Sequence, residues 1–240
     1  MSGQGELDIE MPENPGDDDN ITDWCLEQFQ NHYKNTDITK DDIWEYLYGV
    51  MHAPDWRERY KHDLQRNFPR VPFAADFEAF LVAGRQLMYL HVNYETVEEW
   101  DVVCTVDNIP NDGESDPDTD PDAYRIADGK KMGWLNKTDR SVLKINERCR
   151  LIDIPIEAQG YSEEAPNAYT VSGRSPLEWA IDSLRYKDAP VGRDNPNKWY
   201  VWEDEPFNLI RHLRRLIAVS VETTRIVNNL PPSLPPDSDD

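Results

Sequence analysis

ITKDDIWEYLYGVMHAPDWRERYKHDLQRNFPRVPFAADFEAFLVAGRQLMYLHVNY, from Ile38 to Tyr94, decides the first half of the fold, because it predicts three helices in succession. Thr39 and Asp42 have the spacing of a capping box, in which each side chain bonds the other residue's amide at a helix start. Pro54 marks the start of a second helix, since proline is favoured in the first turn. A third helix is expected from about Ala75 to His91.

Apolar residues recur at intervals of three or four within each predicted helix, which places them on one face. A further helix is expected around Trp24, Phe29 and Tyr33. Together these segments predict a helical bundle over residues 20–100. The residues expected to face its core are Ile43, Leu47, Val50, Met51, Trp56, Tyr60, Leu64, Phe77, Phe80, Leu81, Gly84, Leu87 and Met88.

The pattern changes over residues 101–174, where β-branched and aromatic residues predict short strands. Helices return over 175–230. There Ser175 and Glu178 have capping-box spacing, and Pro206 is expected to open a long final helix. The predicted fold class is α+β: a helical bundle flanking a small, mainly antiparallel β-sheet, with a long C-terminal helix. The strands are expected near Val102–Val106, Val142–Ile145, Leu151–Ile154 and Tyr169–Val171, with turns at Gly129, Gly133, Gly160 and Gly173.

The formal net charge of −22 is unevenly distributed along the chain. Residues 1–19 and 107–122 contain many acidic residues and no basic one, and the last residues are also acidic. Their Pro, Gly and Ser content predicts disordered acidic tails at 1–19 and 232–240 and a mobile acidic loop at 107–122. The folded domain is therefore expected over residues 20–231.

Two interpretations of this acidity stay open. Asp outnumbers Glu and Arg outnumbers Lys, a bias that suits a halophilic protein in molar salt, where charges are screened within ~3 Å. The other interpretation is DNA mimicry, in which carboxylates imitate phosphates. Salt adaptation is favoured, because a mimic is expected to spread its acidic residues over a folded face.

Several classes of protein are disfavoured by what the sequence lacks. No apolar run approaches the ~20 residues of a membrane helix, and no secretion signal is recognisable, so a cytoplasmic location is expected. The three cysteines are widely spaced without a CxxC pair, which argues against disulfides and zinc. Neither a phosphate-binding GxxxxGK[ST] loop nor a complete base-holding loop of an adenine methyltransferase is present. The sequence predicts a non-catalytic chain without cofactor or metal.

Five blocks follow one another along the chain: YGVMHAPDWRERYKHDLQRNFPRVPF (Tyr48–Phe73), IPIEAQGY (Ile154–Tyr161), YTVSGRSPLEW (Tyr169–Trp179), DNPNKW (Asp194–Trp199) and VSVETTRIVNNLP (Val219–Pro231). In this order they resemble the C-terminal specificity domain of type ISP restriction–modification enzymes. In those enzymes a helicase, an adenine methyltransferase and a DNA-reading domain share one chain. The resemblance covers roughly residues 20–231 and implies sequence-specific DNA recognition, with the chemistry carried out elsewhere.

Candidate DNA-contacting residues lie mainly in the basic stretch between Tyr124 and Arg150. A strand-rich, Gly-punctuated region of this kind can present a β-ribbon or loop to the major groove. A second basic cluster surrounds the predicted helix after Pro54, and one arginine precedes the helix start at Ser175. Ordinary solvated surface is the competing interpretation for the two basic clusters, and a structural role beside the helix start is the competing interpretation for the single arginine. The candidates are Lys130, Lys131, Lys137, Arg140, Lys144, Arg148, Arg57 and Arg174.

The resemblance implies two partners, double-stranded DNA and a methyltransferase/helicase polypeptide of the same restriction–modification system. On this interpretation the chain is a target-recognition domain or subunit. The alternative is an acidic DNA-mimic inhibitor that binds a restriction enzyme. A contiguous positive surface around residues 124–150 favours the DNA-reading protein, whereas a carboxylate array at phosphate-like spacing favours the inhibitor.

Overall fold

The computed structural model describes residues 20–61, 63, 71–111, 120–126, 132–136, 138–159, 174–184, 197 and 205–234. Its α-helices are α1 (Asp23–Tyr33), α2 (Lys40–His52), α3 (Pro54–Arg59), α4 (Phe77–Val92), α5 (Pro176–Ser183) and α6 (Asn208–Asn228). Its strands are β1 (Val103–Val106), β2 (Ile109–Pro110), β3 (Gly133–Trp134), β4 (Leu143–Lys144) and β5 (Cys149–Ile152).

Local sequence signals set the starts of the helices. At α2, the Thr39 hydroxyl accepts from the Asp42 amide at 3.2 Å, and the Asp42 carboxylate accepts from the Thr39 amide at 2.9 Å. The same reciprocal box forms at α5 between Ser175 and Glu178. Pro54 occupies the first turn of α3. Both predicted capping boxes and the proline start are thus confirmed.

Helices α2 and α4 approach each other at backbone contact because each has a glycine at the crossing. A Cβ atom on Gly84 would lie 2.9 Å from the Gly49 amide nitrogen and would overlap the carbonyl oxygen of Glu45. A Cβ on Gly49 would overlap the carbonyl oxygen of Phe80. Only glycine at both positions permits this approach.

An aromatic cluster fills the core between α1, α2 and α4. Tyr46 is fully buried and stacks on Phe77 with ring centroids 4.9 Å apart, while Phe29 meets it edge-on at 5.4 Å. The Tyr46 hydroxyl donates to the Pro72 carbonyl at 2.7 Å and accepts from the Ala74 amide at 2.9 Å. Burial raises the pKa of Tyr46. The neutral hydroxyl therefore ties the segment before α4 to the core.

The five strands form one antiparallel sheet in the order β2-β1-β5-β4-β3. Successive side chains of a strand point to opposite faces, so one face is uniformly apolar. Helices α5 and α6 cover that face. The buried side chains at this contact include Cys104, Val106, Leu143, Cys149, Leu151, Leu177, Ile210, Leu213 and Ile217.

Helix α6 contacts both the sheet and the helical bundle, because its C-terminal part extends beyond the sheet and packs beside α4. There a polar chain crosses three helices: the Tyr48 hydroxyl lies 2.8 Å from Nδ1 of His91, and Nε2 of His91 lies 2.9 Å from the Thr223 hydroxyl. Burial lowers the pKa of His91. A neutral imidazole accepts at one nitrogen and donates at the other, so it can satisfy both hydroxyls.

The segment after α6 returns to the helical bundle. The Asp55 carboxylate accepts from the Ser233 amide at 2.7 Å, the Ser233 hydroxyl at 2.8 Å and the Leu234 amide at 3.1 Å. Ser233 is fully buried, and Leu230 and Leu234 pack against the core that contains Ile21. The packed chain thus reaches past the boundary expected at residue 231. Residues 1–19 and 235–240 lie outside the described residues.

The predicted fold class is confirmed, as are the long C-terminal helix and the strands near 102–106, 142–145 and 151–154. Gly133 differs from its predicted turn: it lies in β3, opposite Lys144. Helix α3 ends at Arg59, and Tyr60 follows it as the C-cap. Leu64, the strand at Tyr169–Val171 and the turns at Gly129, Gly160 and Gly173 lie outside the described residues.

Met51, which the helical spacing predicts to share a face with Ile43 and Val50, is exposed instead. It is 45% exposed, because the buried face of α2 is centred on Ile43, Tyr46 and Val50. Trp24 lies at the start of α1, in the helix expected around it, and is 70% exposed. Apolar periodicity predicts that a helix is present more reliably than it predicts which residues lie at the centre of its buried face.

Candidate nucleic-acid interface

The outer face of the sheet carries basic side chains on adjacent strands. Lys144 on β4 lies directly opposite Arg150 on β5, so both side chains project from the same face. Their neighbours Leu143 and Leu151 point to the fully buried face. Arg148 follows in the turn between these two strands. We call Lys144, Arg148 and Arg150 the basic edge.

Each member of the basic edge has a partner within the chain. Lys144 Nζ lies 2.7 Å from the Glu147 carboxylate. Arg150 Nη1 donates to the side-chain oxygen of Asn108 at 2.8 Å. The edge is therefore preorganised, with its positive charge partly neutralised.

Arg148 is held by two carboxylates from the acidic segment. Its Nε donates to both Asp107 oxygens, at 3.2 and 3.0 Å, and Nη2 donates to Asp107 Oδ2 at 2.9 Å. Its Nη1 donates to Asp120 Oδ2 at 2.9 Å. The bonds to Asp107 and Asp120 raise the pKa of Arg148, and the bonds from the Asp122 amide and from Arg148 lower the pKa of Asp120. All three guanidinium nitrogens are thus engaged.

The tight turn between β1 and β2 supplies partners for two arginines of the basic edge. Asp107 and Asn108 have φ angles of 53° and 68°, a left-handed conformation that Asp and Asn adopt more readily than most residues. Such a two-residue turn fits the twist of a hairpin. It places Asp107 against Arg148 and Asn108 against Arg150.

The amide of Asn146 holds the backbone behind the basic edge. Its Nδ2 donates to the carbonyls of Ala123 and Arg125, at 2.6 and 2.7 Å. Its Oδ1 accepts from the amides of Arg148 and Cys149, both at 2.8 Å. One side chain therefore fixes the β4–β5 turn against the preceding segment.

Asn197 makes a second clamp of the same kind, within the DNPNKW block. Its Nδ2 donates to the Ile126 carbonyl at 2.7 Å, and its Oδ1 accepts from the Ile126 amide at 3.1 Å. Beside it lies a cleft of about 390 Å³. Arg125, 3.1 Å from the Asp122 carboxylate, and Arg148 both line this cleft.

Arg140 and Arg174 contact α5 rather than the basic edge. Arg140 Nη1 lies 2.6 Å from Oε1 of Glu178, the capping-box carboxylate. Arg174 Nη1 lies 2.9 Å from Asp182, and its guanidinium lies over the Trp179 ring at 5.3 Å. Arg140 thus contacts α5 near its start, and Arg174 contacts the middle and the C-terminal end of the same helix.

Arg57 lies on the helical half, in the last turn of α3, and is half-buried. It is close enough to His52 to contribute to the lowered pKa of that imidazole, which burial chiefly causes. Lys130, Lys131 and Lys137 lie outside the described residues. Of the eight candidates, the structure thus brings Lys144 and Arg148 to one edge and Arg140 and Arg174 to one helix.

Sequence reasoning did not identify the partners of the basic edge. Asp107 and Asp120 lie in the segment that the sequence predicts to be a mobile loop, yet both form ion pairs with Arg148. The Asp107-Asn108 pair directly after the β-branched run Val102–Val106 is a usable signal, since Asp and Asn are common in hairpin turns with positive φ. Nothing local to Asn146 indicated its four bonds.

Nowhere among the described residues do three or more His, Cys, Asp or Glu side chains form a group able to hold a metal ion. None of the helices in the described ranges is long and apolar enough to span a membrane.

A family model described as the type ISP C-terminal specificity domain matches residues 5–210. No curated protein matches the chain.

Solved structures of three longer chains resemble this one. A structure titled as a complex of DrdV with DNA is 31% identical, with a TM-score of 0.66, over 88% of this chain and 20% of the longer one. The type ISP restriction-modification enzyme LlaGI, as a nuclease-deletion mutant in complex with a DNA substrate mimic, is 30% identical, with a TM-score of 0.60, over 81% of this chain and 14% of its own. The ATP-dependent type ISP restriction-modification enzyme LlaBIII, bound to DNA, is 26% identical, with a TM-score of 0.62, over 85% and 12%. This chain therefore spans a fifth or less of each of these proteins.

Proposed function

Because the chain belongs to the type ISP C-terminal specificity domain family, we propose that it recognises a short sequence in double-stranded DNA. In this role it directs the methylation and cleavage that other domains of a type ISP restriction–modification system carry out. The observation that carries the proposal is the family match over residues 5–210. The similar structures of LlaGI and LlaBIII, both type ISP enzymes in complex with DNA or a DNA mimic, support it.

The proposed DNA-contacting surface is centred on the basic edge and on the segment that precedes it. Cross-strand basic side chains on an open sheet face can reach phosphates and base edges in a groove. Arg140 and Arg174 are weaker candidates, since their guanidinium groups contact α5. The proposed set remains Lys130, Lys131, Lys137, Lys144 and Arg148 first, then Arg57, Arg140 and Arg174.

The acidic-inhibitor alternative receives less support from the described carboxylates. An inhibitor must present carboxylates to a partner, whereas Asp107, Asp120, Asp122 and Glu147 each bond a basic side chain of the same chain. These carboxylates neutralise an internal basic surface instead of forming a free acidic array.

Selection of bound sequences from random duplexes tests the proposal. The selection is run with the chain alone and with a methyltransferase/helicase polypeptide of the same system, the proposed partner. We expect enrichment of one short motif in at least one arm. Single Lys130→Ala, Lys131→Ala, Lys137→Ala and Lys144→Ala variants should include one with relaxed preference at a single base, because a good bidentate base contact contributes ~1–3 kcal/mol of discrimination. Enrichment of no motif in either arm would count against sequence recognition.

We further propose that the chain itself is non-catalytic and acts in the cytoplasm. The purified chain should transfer no methyl group from labelled S-adenosylmethionine to DNA and should hydrolyse no ATP. A complete type ISP enzyme serves as the positive control for both assays. Methyl transfer that purifies with the chain, above a preparation lacking it, would contradict this expectation.

A further inference from the structure

We infer that Arg148 is a binding site for a backbone phosphate of DNA, and that Asp120 occupies this site until DNA displaces it. The inference rests on the proposed function and assigns a ligand class to one residue of the basic edge. It also gives part of the acidic segment a role, as an internal competitor of DNA.

The geometry separates a permanent partner from a replaceable one. Asp107 receives three hydrogen bonds, from Nε and Nη2 of Arg148, and thereby holds one side of the guanidinium. Asp120 receives one, from Nη1 at 2.9 Å. A planar guanidinium binds carboxylates and phosphates through the same fork of donors. A phosphate oxygen can therefore replace the single Asp120 oxygen while Asp107 keeps the guanidinium in place.

Exposure makes the exchange feasible. The side chain of Arg148 is 46% exposed, and those of Asp107 and Asp120 are 55% and 50% exposed. Ion pairs in water contribute little net stability because solvent competes for both charges. An incoming phosphate therefore meets an accessible cation, and replacing the carboxylate costs little.

Asp120 is also able to leave without losing its local role. Its Oδ1 accepts from the amide of Asp122 at 3.0 Å, which caps the short turn Pro121–Tyr124. The bond to Arg148 uses the other oxygen, Oδ2. Rotation or a small shift of the carboxylate can release Arg148 while the following turn stays capped.

The neighbouring basic residues show the same pairing. Arg125 lies 3.1 Å from Asp122, and Lys144 lies 2.7 Å from Glu147. Around the basic edge, carboxylates thus nearly balance the cations, and the long-range attraction for arbitrary DNA is weak. A duplex contacts Arg148 only if it lies close enough to displace the Asp120 carboxylate. This requirement favours correctly placed DNA over loosely bound DNA.

The test uses a random-sequence duplex as the probe and an Asp120→Asn variant of the full chain. Asparagine keeps the acceptor oxygen that caps the turn and removes only the charge. We expect this variant to bind the duplex about ten-fold more tightly at ~50 mM salt, because one phosphate contact contributes ~0.9 log units of affinity per decade of salt. Its plot of log affinity against log salt should also be steeper, by up to ~0.9.

Asp37→Asn is the matched control, because it removes the same charge from an exposed loop on the helical half. We expect it to leave the affinity and the salt slope close to those of the parent. An equal gain in both variants would show a general effect of net charge and would overturn the inference.

The decisive measurement repeats Asp120→Asn in an Arg148→Gln background. We expect the gain to vanish there, since the guanidinium that would receive the phosphate is gone. If the gain persists without Arg148, the inference fails. Thermal unfolding of each variant identifies any that is misfolded, and Arg148→Met, which also removes the charge but keeps a long side chain, then replaces Arg148→Gln.

These outcomes separate the inference from the proposed function. A parent chain that binds a selected motif while Asp120→Asn changes nothing retains the function and overturns the phosphate site. If the parent binds the random-sequence duplex weakly and Asp120→Asn binds it more tightly through Arg148, the phosphate site is supported, and the motif selection alone decides the proposed function. Absence of duplex binding by the parent and all variants, with and without the proposed partner polypeptide, overturns both.

Discussion

The helical half (α1–α4) and the sheet half (β1–β5 with α5 and most of α6) are stabilised in different ways. The helical half relies on the capping box of α2, an aromatic core and backbone contact between α2 and α4. The sheet half has strands of two to four residues, so its turns depend on side-chain amides such as Asn146 and Asn197. The helical half is therefore stabilised by one packed core. In the sheet half, the positions of the turns beside the proposed DNA surface depend on a few polar side chains.

The largest expected effect is on the helical half. Gly84→Ala should lower the free energy of unfolding by about 3 kcal/mol or more, because the new methyl group meets the backbone of Glu45 and Gly49 and overpacking of this kind cannot be relieved by a side-chain rotation. Urea unfolding measures the change.

Gly133→Ala in β3 is the matched control. A Cβ at this position has no atom within 4 Å, so the substitution should change the free energy of unfolding by less than ~0.5 kcal/mol. Comparable losses in the two variants would contradict the claim that close backbone approach distinguishes the helical half.

Acidification should also destabilise the helical half. Burial, partly offset by a bond to the Tyr48 carbonyl, lowers the pKa of His52 from 6.5 to about 4. Between these values the unfolded chain binds a proton that the folded chain does not. The contribution is complete above about pH 6.5 and is lost as the pH falls toward 4, at ~1.36 kcal/mol per pKa unit and so roughly 3 kcal/mol.

The measurement is urea unfolding of the parent and of His52→Gln between about pH 4 and 7. Glutamine retains a donor for the Tyr48 carbonyl and does not titrate, so its stability should fall less over this interval. Other buried histidines, His91 and His212, act in the same direction in both proteins. Parallel losses in parent and variant would exclude His52 as the cause.

On the sheet half, Asn146→Ala should cost about 2 kcal/mol. It removes four hydrogen bonds from backbone groups of the β4–β5 turn and the preceding segment, and an unsatisfied buried polar group costs ~1–3 kcal/mol. DNA binding should weaken as well, because Arg148 loses its support.

Asn136→Ala is the control for that substitution, since the exposed Asn136 accepts one bond, from the Thr138 amide. Its loss should stay below ~1 kcal/mol. Thermal unfolding of both variants gives the comparison, and equal midpoints would remove the special role of Asn146.

The smallest expected effect is that of salt on the whole chain. Screening relieves self-repulsion at a net charge of −22, so the melting temperature should rise by about 3 °C between roughly 0.1 M and 2 M KCl, the shift that ~1 kcal/mol produces in a domain of this size. A steady fall over this range would refute salt adaptation.

The two halves also differ in how far the sequence alone could predict them. Thr39, Pro54 and Ser175 mark helix starts through interactions within three residues. These helix starts can therefore be predicted from the sequence alone. Helical spacing identified the apolar positions of α4 and α6 for the same reason. The contact between Gly49 and Gly84 joins residues that are far apart in the sequence, so no local pattern predicts it.

The candidate site was predictable in composition but not in arrangement. Local charge singled out Arg148 and Lys144. The ion pairs of Arg148 join residues 41 and 28 positions apart, and Asn197 bonds Ile126 from 71 positions away. Strands of two residues carry too little periodicity to fix a register. The partners that decide how much charge the basic edge shows to DNA were therefore accessible only from the fold.

The bond between Ser233 and Asp55 has a consequence for how the domain can change over time. Ile21 and Leu234, near the two ends of the described chain, pack into the same helical core. The chain thus leaves the helical core, forms the sheet and returns to the same core. Exchange of the sheet for that of a relative, with the inner face of α6 retained, would leave both of these residues in place. On the proposed function, a new target preference then requires no change in the packing of Ile21 and Leu234.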